Sequence, residues 1–192
     1  MAAPYPPPLV LSLLLALAAC NTAPAEPPAS GSAAPTPKLA PLLWQAPGAW
    51  ARLEVPTSGA EKAEYEVEGA VEARIHVFFF GTGAKGDPGQ VFKEWLGQFD
   101  GDAGATAARE KFRAGDLDVE TVDARGTYKI ALTPTPNGRK TAPVSMVKRD
   151  WRLVGAVVKT PDRGNWFFQM VGPDEAVQPA RPAFRRMLES AH

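Results

Sequence analysis

The segment RIHVFFFGTGAKGDPGQVFKEWLGQF carries Gly81, Gly83 and Gly86 in the spacing G-x-G-x-x-G, between a strand-like run and a helix-like one. In a dinucleotide-binding loop such glycines turn the chain tightly and bring backbone amides at a helix N-terminus against a pyrophosphate. That chemistry needs the helix to open inside the motif, and an acidic residue at the end of the next parallel strand about 20 residues on. Here Asp87-Pro88-Gly89 follows the third glycine and sets the helix start beyond the motif. Asp100 and Asp102, at the required distance, fall in the loop-like DGDAG. Gly81 and Gly86 also have P-loop separation, but Asp87-Pro88 stands where the Lys-Ser/Thr pair must hold phosphate and magnesium. The glycines therefore read as a strand-to-helix turn, and no cofactor is expected.

Other chemistry is sparse. DGDAG opens like a calcium loop, yet Ala105 and Lys111 replace the glycine and glutamate of its sixth and twelfth positions. The two histidines, His76 in a strand and His192 at the terminus, have no histidine or cysteine at ligand spacing, so no metal is expected. No serine sits in a G-x-S-x-G elbow. Glu64 and Glu66, two apart on one strand, form a solvated acidic stripe rather than a catalytic pair in contrasting environments. No catalytic residues are assigned, and the expectation is that the protein is not an enzyme. Of the five tryptophans, Trp95 and Trp166 read as core, whereas Trp44 and Trp50, at the domain entrance, are the better candidates for exposure and ligand contact.

The most specific signal lies at the N-terminus. Leu9 to Ala19 is an apolar run too short to span a bilayer, and it ends in small residues followed by a cysteine. Leu17-Ala18-Ala19-Cys20 resembles the bacterial lipobox, which implies cleavage before Cys20 and lipidation of that residue. Several acyl chains anchor stably where one binds marginally. The leading MAAPYPPP departs from the pattern in having no Lys or Arg, as a misassigned start codon would explain. The resulting division is a signal peptide over 1–19, a lipidated cysteine with a disordered Pro/Ala/Ser-rich tether over 20–40, and one globular domain over 41–192. Asn21 is not the aspartate that retains many lipoproteins at the inner membrane, which favours the outer membrane.

Cys20 is the single cysteine, so the domain has no disulfide and must be held by burial. Lys+Arg and Asp+Glu balance at 21 each, which leaves no electrostatic footprint for nucleic acid.

The elements that follow mostly have a period of two. ARLEVP predicts a short strand. AEYEVEG alternates Ala63, Tyr65 and Val67 with glutamates, as a half-buried strand does. RIHVFFF sets Ile75, Val77 and Phe79 against Arg74, His76 and Phe78, with a central place in the sheet. Asp87 and Pro88 predict a helix start, Val91, Phe92, Trp95, Leu96 and Phe99 an apolar stripe, and Gly101 its end. Strands are then expected over Ala108–Arg113, Leu117–Val122 and Thr127–Leu132, followed by the loop TPTPNGRKTAP. WRLVGAVVKT and NWFFQMVG, separated by PDRG, predict a hairpin, and Pro182 a closing helix with Arg185 and Arg186 outward. The fold class is α+β: one domain, a mainly antiparallel sheet flanked by two principal helices.

FFFGTG, EWLGQF, GTY, GAVV and NWFFQMVGP with a closing helix resemble a group of uncharacterised bacterial envelope lipoproteins. More distantly, the element order is similar to the PsbP, DcrB and Mog1-like fold, over about Trp44 to Ser190. These motifs are structural, and the resemblance implies an accessory or assembly role without catalytic residues. The leading expectation is a membrane-anchored, non-catalytic lipoprotein binding another envelope protein. A glycan or small-ligand module using exposed tryptophan is the alternative, and a nucleotide-dependent enzyme the least favoured.

Overall fold

A computed structural model describes residues 41–82, 86–131, 145–161 and 163–192. The signal and tether, Cys20, Gly83 and the loop TPTPNGRKTAP lie outside the described residues.

Seven strands form one sheet: β1 (Ala51–Leu53), β2 (Glu61–Val67), β3 (Ala70–Phe79), β4 (Ala108–Ala114), β5 (Leu117–Ala131), β6 (Ser145–Thr160) and β7 (Gly164–Pro173). Their order is β1-β2-β3-β7-β6-β5-β4, and every pairing is antiparallel. Helices α1 (Pro88–Leu96), α2 (Ala103–Thr106) and α3 (Asp174–Glu189) complete the described domain. The fold is thus the α+β, antiparallel arrangement that the periodicity predicts.

Alternation builds two cores, one on each face. Ala63, Tyr65, Val67, Ile75, Val77, Val119, Phe168 and Met170 point to the side covered by α3, where Val177, Phe184, Met187 and Leu188 meet them. Val122, Leu153, Val157, Phe167 and Val171 point to the other side, under Val91, Phe92, Trp95 and Leu96 of α1. Trp95 lies so close to β6 that a Cβ on Gly155 would stand 2.7 Å from its ring. Only glycine leaves room for that contact. On the opposite face a Cβ on Gly172 would stand 2.7 Å from Ala73 Cα.

The caps of α1 follow the sequence. Asp87 accepts from Gln90 N at 2.8 Å, and Pro88 takes the first helical position. The helix ends at Gly97 rather than Gly101, because Phe99 leaves it to bridge Tyr128 of β5. DGDAG, expected as a loop, contains the short α2, capped by Asp102.

Three further boundaries differ. The two strands expected over 117–132 are one, β5, whose ladder is carried past Gly126 by a bulge. β6 starts at Ser145, six residues before WRLVG. α3 starts at Asp174, so that Pro179 and Pro182 lie inside it. Its start is marked by Asp174 and Glu175, acidic groups that suit the positive end of a helix. Both prolines are exposed, so their rings stand clear of the core.

The chain is closed where the domain begins. Leu43 and His192 exchange both backbone hydrogen bonds, each at 3.1 Å, and Ser190 Oγ accepts from Gln45 N at 2.8 Å.

Candidate binding groove

A concavity of about 530 Å³ lies between α3 and strands β4 to β6. Its floor is apolar, formed by Val154, Phe184 and Leu188. Its rim is charged, because β4 and β5 present Glu110 and Asp123 while α3 presents Arg181 and Arg185. The three-to-four spacing of Arg181, Phe184, Arg185 and Leu188 sends apolar side chains inward and guanidinium groups to the groove wall.

Most of these charges are spoken for. Arg152 holds Asp123 through two parallel bonds, Nε to Oδ1 at 2.7 Å and Nη2 to Oδ2 at 3.0 Å, and donates to Asp174 at 2.9 Å. Arg181 adds a contact to Asp123 at 2.8 Å, and Arg125 one to Asp174 at 3.1 Å. The Arg152 guanidinium is pushed above its ordinary range by its bonds to Asp123, with Asp174 adding to them against the desolvation of burial. Arg185 donates to Glu110 and Glu189, both at 2.7 Å, and stacks 3.3 Å over the Phe112 ring. Desolvation opposes its charge most strongly, and the two glutamates together outweigh it and raise its pKa. Arg109, at the groove's edge, is exposed and makes no ion pair among the described residues, but it pairs with Val122 across the ladder and so projects on the α1 side. The groove thus offers an apolar floor beside guanidinium groups that carboxylates of the domain hold in place.

The tryptophans do not form the exposed platform expected at 44 and 50. Trp50 is 9% exposed and packs in the core, with an edge in a wide depression beside α3. Trp44 is half-buried: its Nε1 donates to Tyr65 at 3.0 Å, and its ring packs edge-on to Phe168 at 5.4 Å. Four tryptophans, including Trp95 and Trp166, are buried, and ring packing rather than solvent occupies Trp44.

The glycine turn has the architecture of a connection. Gly81 has φ 87°, in the left-handed region, and Asn165 donates to the Gly86 carbonyl at 2.8 Å. The α1 N-terminus is already occupied by the Asp87 carboxylate. Strand β3 has antiparallel neighbours on both sides, in place of the parallel neighbour that a dinucleotide fold requires.

A second polar region occupies the part of the α1 face that the helix leaves uncovered. Glu64 and Glu66 both pair with Arg74, Glu64 at 3.5 Å, so the stripe is half-buried and partly neutralised rather than freely solvated. His76 Nδ1 lies 2.7 Å from Glu61 Oε1. Spacing alone did not bring Glu61 to His76, because strict alternation puts Glu61 on the other face. A bulge between Glu61 and Ala63 turns it over, so that Glu61 is paired with Phe78.

Among solved structures the chain is similar to the solution structure of cyanobacterial PsbP (CyanoP) from Synechocystis sp. PCC 6803, with 10% identity and a TM-score of 0.44. The match covers 80% of this chain and 93% of that one. No protein-family model matches the chain, and no curated protein does.

Proposed function

We propose that this is a non-catalytic binding domain whose groove takes an acidic segment of another envelope protein. One observation carries the reading: the guanidinium groups of Arg181 and Arg185 wall an apolar floor of Val154, Phe184 and Leu188. Such a pairing suits a partner that offers a carboxylate next to an apolar side chain. The hydrophobic contact supplies affinity, and the charge supplies orientation and encounter rate. Asp123, Glu110 and Glu189 hold these guanidinium groups in place, so the wall is oriented before a partner arrives.

The lipobox supports attachment through Cys20 to the bacterial envelope, with the outer membrane favoured over the inner. No helix among the described residues is long and apolar enough to cross a membrane. Lipid attachment combined with a Pro/Ala/Ser-rich segment suits reach toward a neighbouring protein more than turnover of a substrate. The glycan alternative has less support, since it needs an exposed ring at Trp44 or Trp50.

The test is crosslinking co-purification of the tagged full-length protein from solubilised envelopes, beside Arg181→Glu and Cys20→Ala. One defined protein should be recovered with the wild type, lost with Arg181→Glu and reduced when lipidation is removed. Recovery that ignores Arg181→Glu would overturn the groove assignment, and saturable turnover of a substrate by the purified protein would overturn the non-catalytic reading.

A further inference from the structure

We propose that Glu61, Glu64 and His76 form a binding site for one divalent transition-metal ion, with zinc as its simplest occupant. One ligand atom from each of the three lies within 4.8 Å of the others. Ligands held about 2 Å from a tetrahedral ion stand roughly 3.3 Å apart. Small rotations of the two glutamate side chains close that difference, while the strands need not move. One imidazole nitrogen with two carboxylates is a donor set for zinc and its first-row neighbours rather than for calcium or magnesium, which take oxygen alone.

The backbone commits these residues to one another. Glu64 and His76 are direct partners across β2 and β3, and the bulge after Glu61 brings a third donor to their face. The His76 ring is oriented by stacking on Phe78, with centroids 5.9 Å apart and planes 18° from parallel. Arg74, bonded to Glu66 and close to Glu64, fixes the neighbouring carboxylates.

Two independent observations point to an occupant. The first is charge: around one guanidinium, Arg74, and one imidazole, His76, stand three carboxylates, Glu61, Glu64 and Glu66. A divalent ion offsets them. The second is Gln169, directly opposite His76 on β7 and therefore on the same face of the sheet. It is only 7% exposed, and its amide makes no hydrogen bond among the described residues. The cross-strand register therefore sets a further amide, with an oxygen donor, on the face that carries the imidazole. The site is separate from the groove, which lies on the α3 face.

Calorimetric titration of the full-length protein with zinc tests this, with cobalt as a spectroscopic substitute. Cys20→Ser and His192→Gln serve as controls for the single thiol and the second imidazole. The expected result is one equivalent of zinc, unaffected by either control and weakened roughly tenfold or more by His76→Gln and by Glu61→Gln. Bound cobalt should show visible bands of a nitrogen and oxygen set without thiolate charge transfer. Absence of saturable binding to the wild type would overturn the proposal, whatever the variants do. Binding that survives both His76→Gln and Glu61→Gln, or that disappears with Cys20→Ser or His192→Gln, would overturn it equally.

Discussion

The two faces of the sheet solve the same covering problem with helices of different length. On one face α3, with 16 residues, packs across the central strands, and its charged side chains meet strand carboxylates at a groove wall. On the other face α1 has nine residues, buries an aromatic cluster over β6 and β7, and stops short of β2 and β3. Polar groups follow this difference. Beneath α3 they are paired between helix and sheet, whereas beyond α1 they pair only within the sheet and stay half-exposed. Coverage, rather than composition, decides which polar groups become structural.

The comparison can be broken first by cutting each helix from its core. Phe184→Ala removes a fully buried ring at the centre of the α3 layer and should cost about 3–5 kcal/mol in urea denaturation. Phe92→Ala, at the margin of the shorter helix, should cost less. Equal losses would mean that helix length does not set the strength of each layer.

A smaller effect separates buried from exposed pairing on the α3 side. Asp123 and Arg152 have side chains only 10% and 17% exposed, so Asp123→Ala strands a guanidinium and should cost roughly 2–3 kcal/mol. Arg185→Ala breaks pairs that water already screens, and should cost at most about 1 kcal/mol. If the two variants were equally stable, the Asp123 network would be no more than surface decoration.

A further effect belongs to the α1 side and depends on pH. Burial raises the Tyr128 hydroxyl from 10.0 to about 12, so the folded state favours its neutral form. Its contribution is complete below pH 10 and is lost as the pH rises toward 12. Tyr128→Phe, followed by denaturation across that interval, should flatten this part of the profile. An unchanged slope would assign the loss to other groups.

Much of this was legible in the sequence because it is local. Period-two burial placed β2 and β3, and Asp87-Pro88 marked the start of α1. What failed was local evidence with a second meaning. Pro182 signals a helix start as readily as an interior turn, and the weaker acidic pair Asp174-Glu175 was the true signal. Asp123 to Gly126 looks like a break, but pairing with β6 carries the strand through it. The groove and the histidine cluster were illegible for a different reason. Arg181 meets Asp123 only through tertiary packing, and Glu61 reaches His76 only through a bulge that alternation does not announce. Trp44 and Trp50 misled because nearness to the domain boundary says little about burial, once the C-terminus returns to close over that boundary.

That return has a topological meaning. With Leu43 and His192 joined by a reciprocal pair of hydrogen bonds, the domain is a ring in all but one covalent link. A few residues could bridge the gap, and the exposed turn at Gly115-Asp116 between β4 and β5 could be opened instead, giving a permuted chain with the same sheet order. In such a chain the point of entry into the domain becomes a matter of choice, so the direction from which the protein is held can be separated from the surface that it presents.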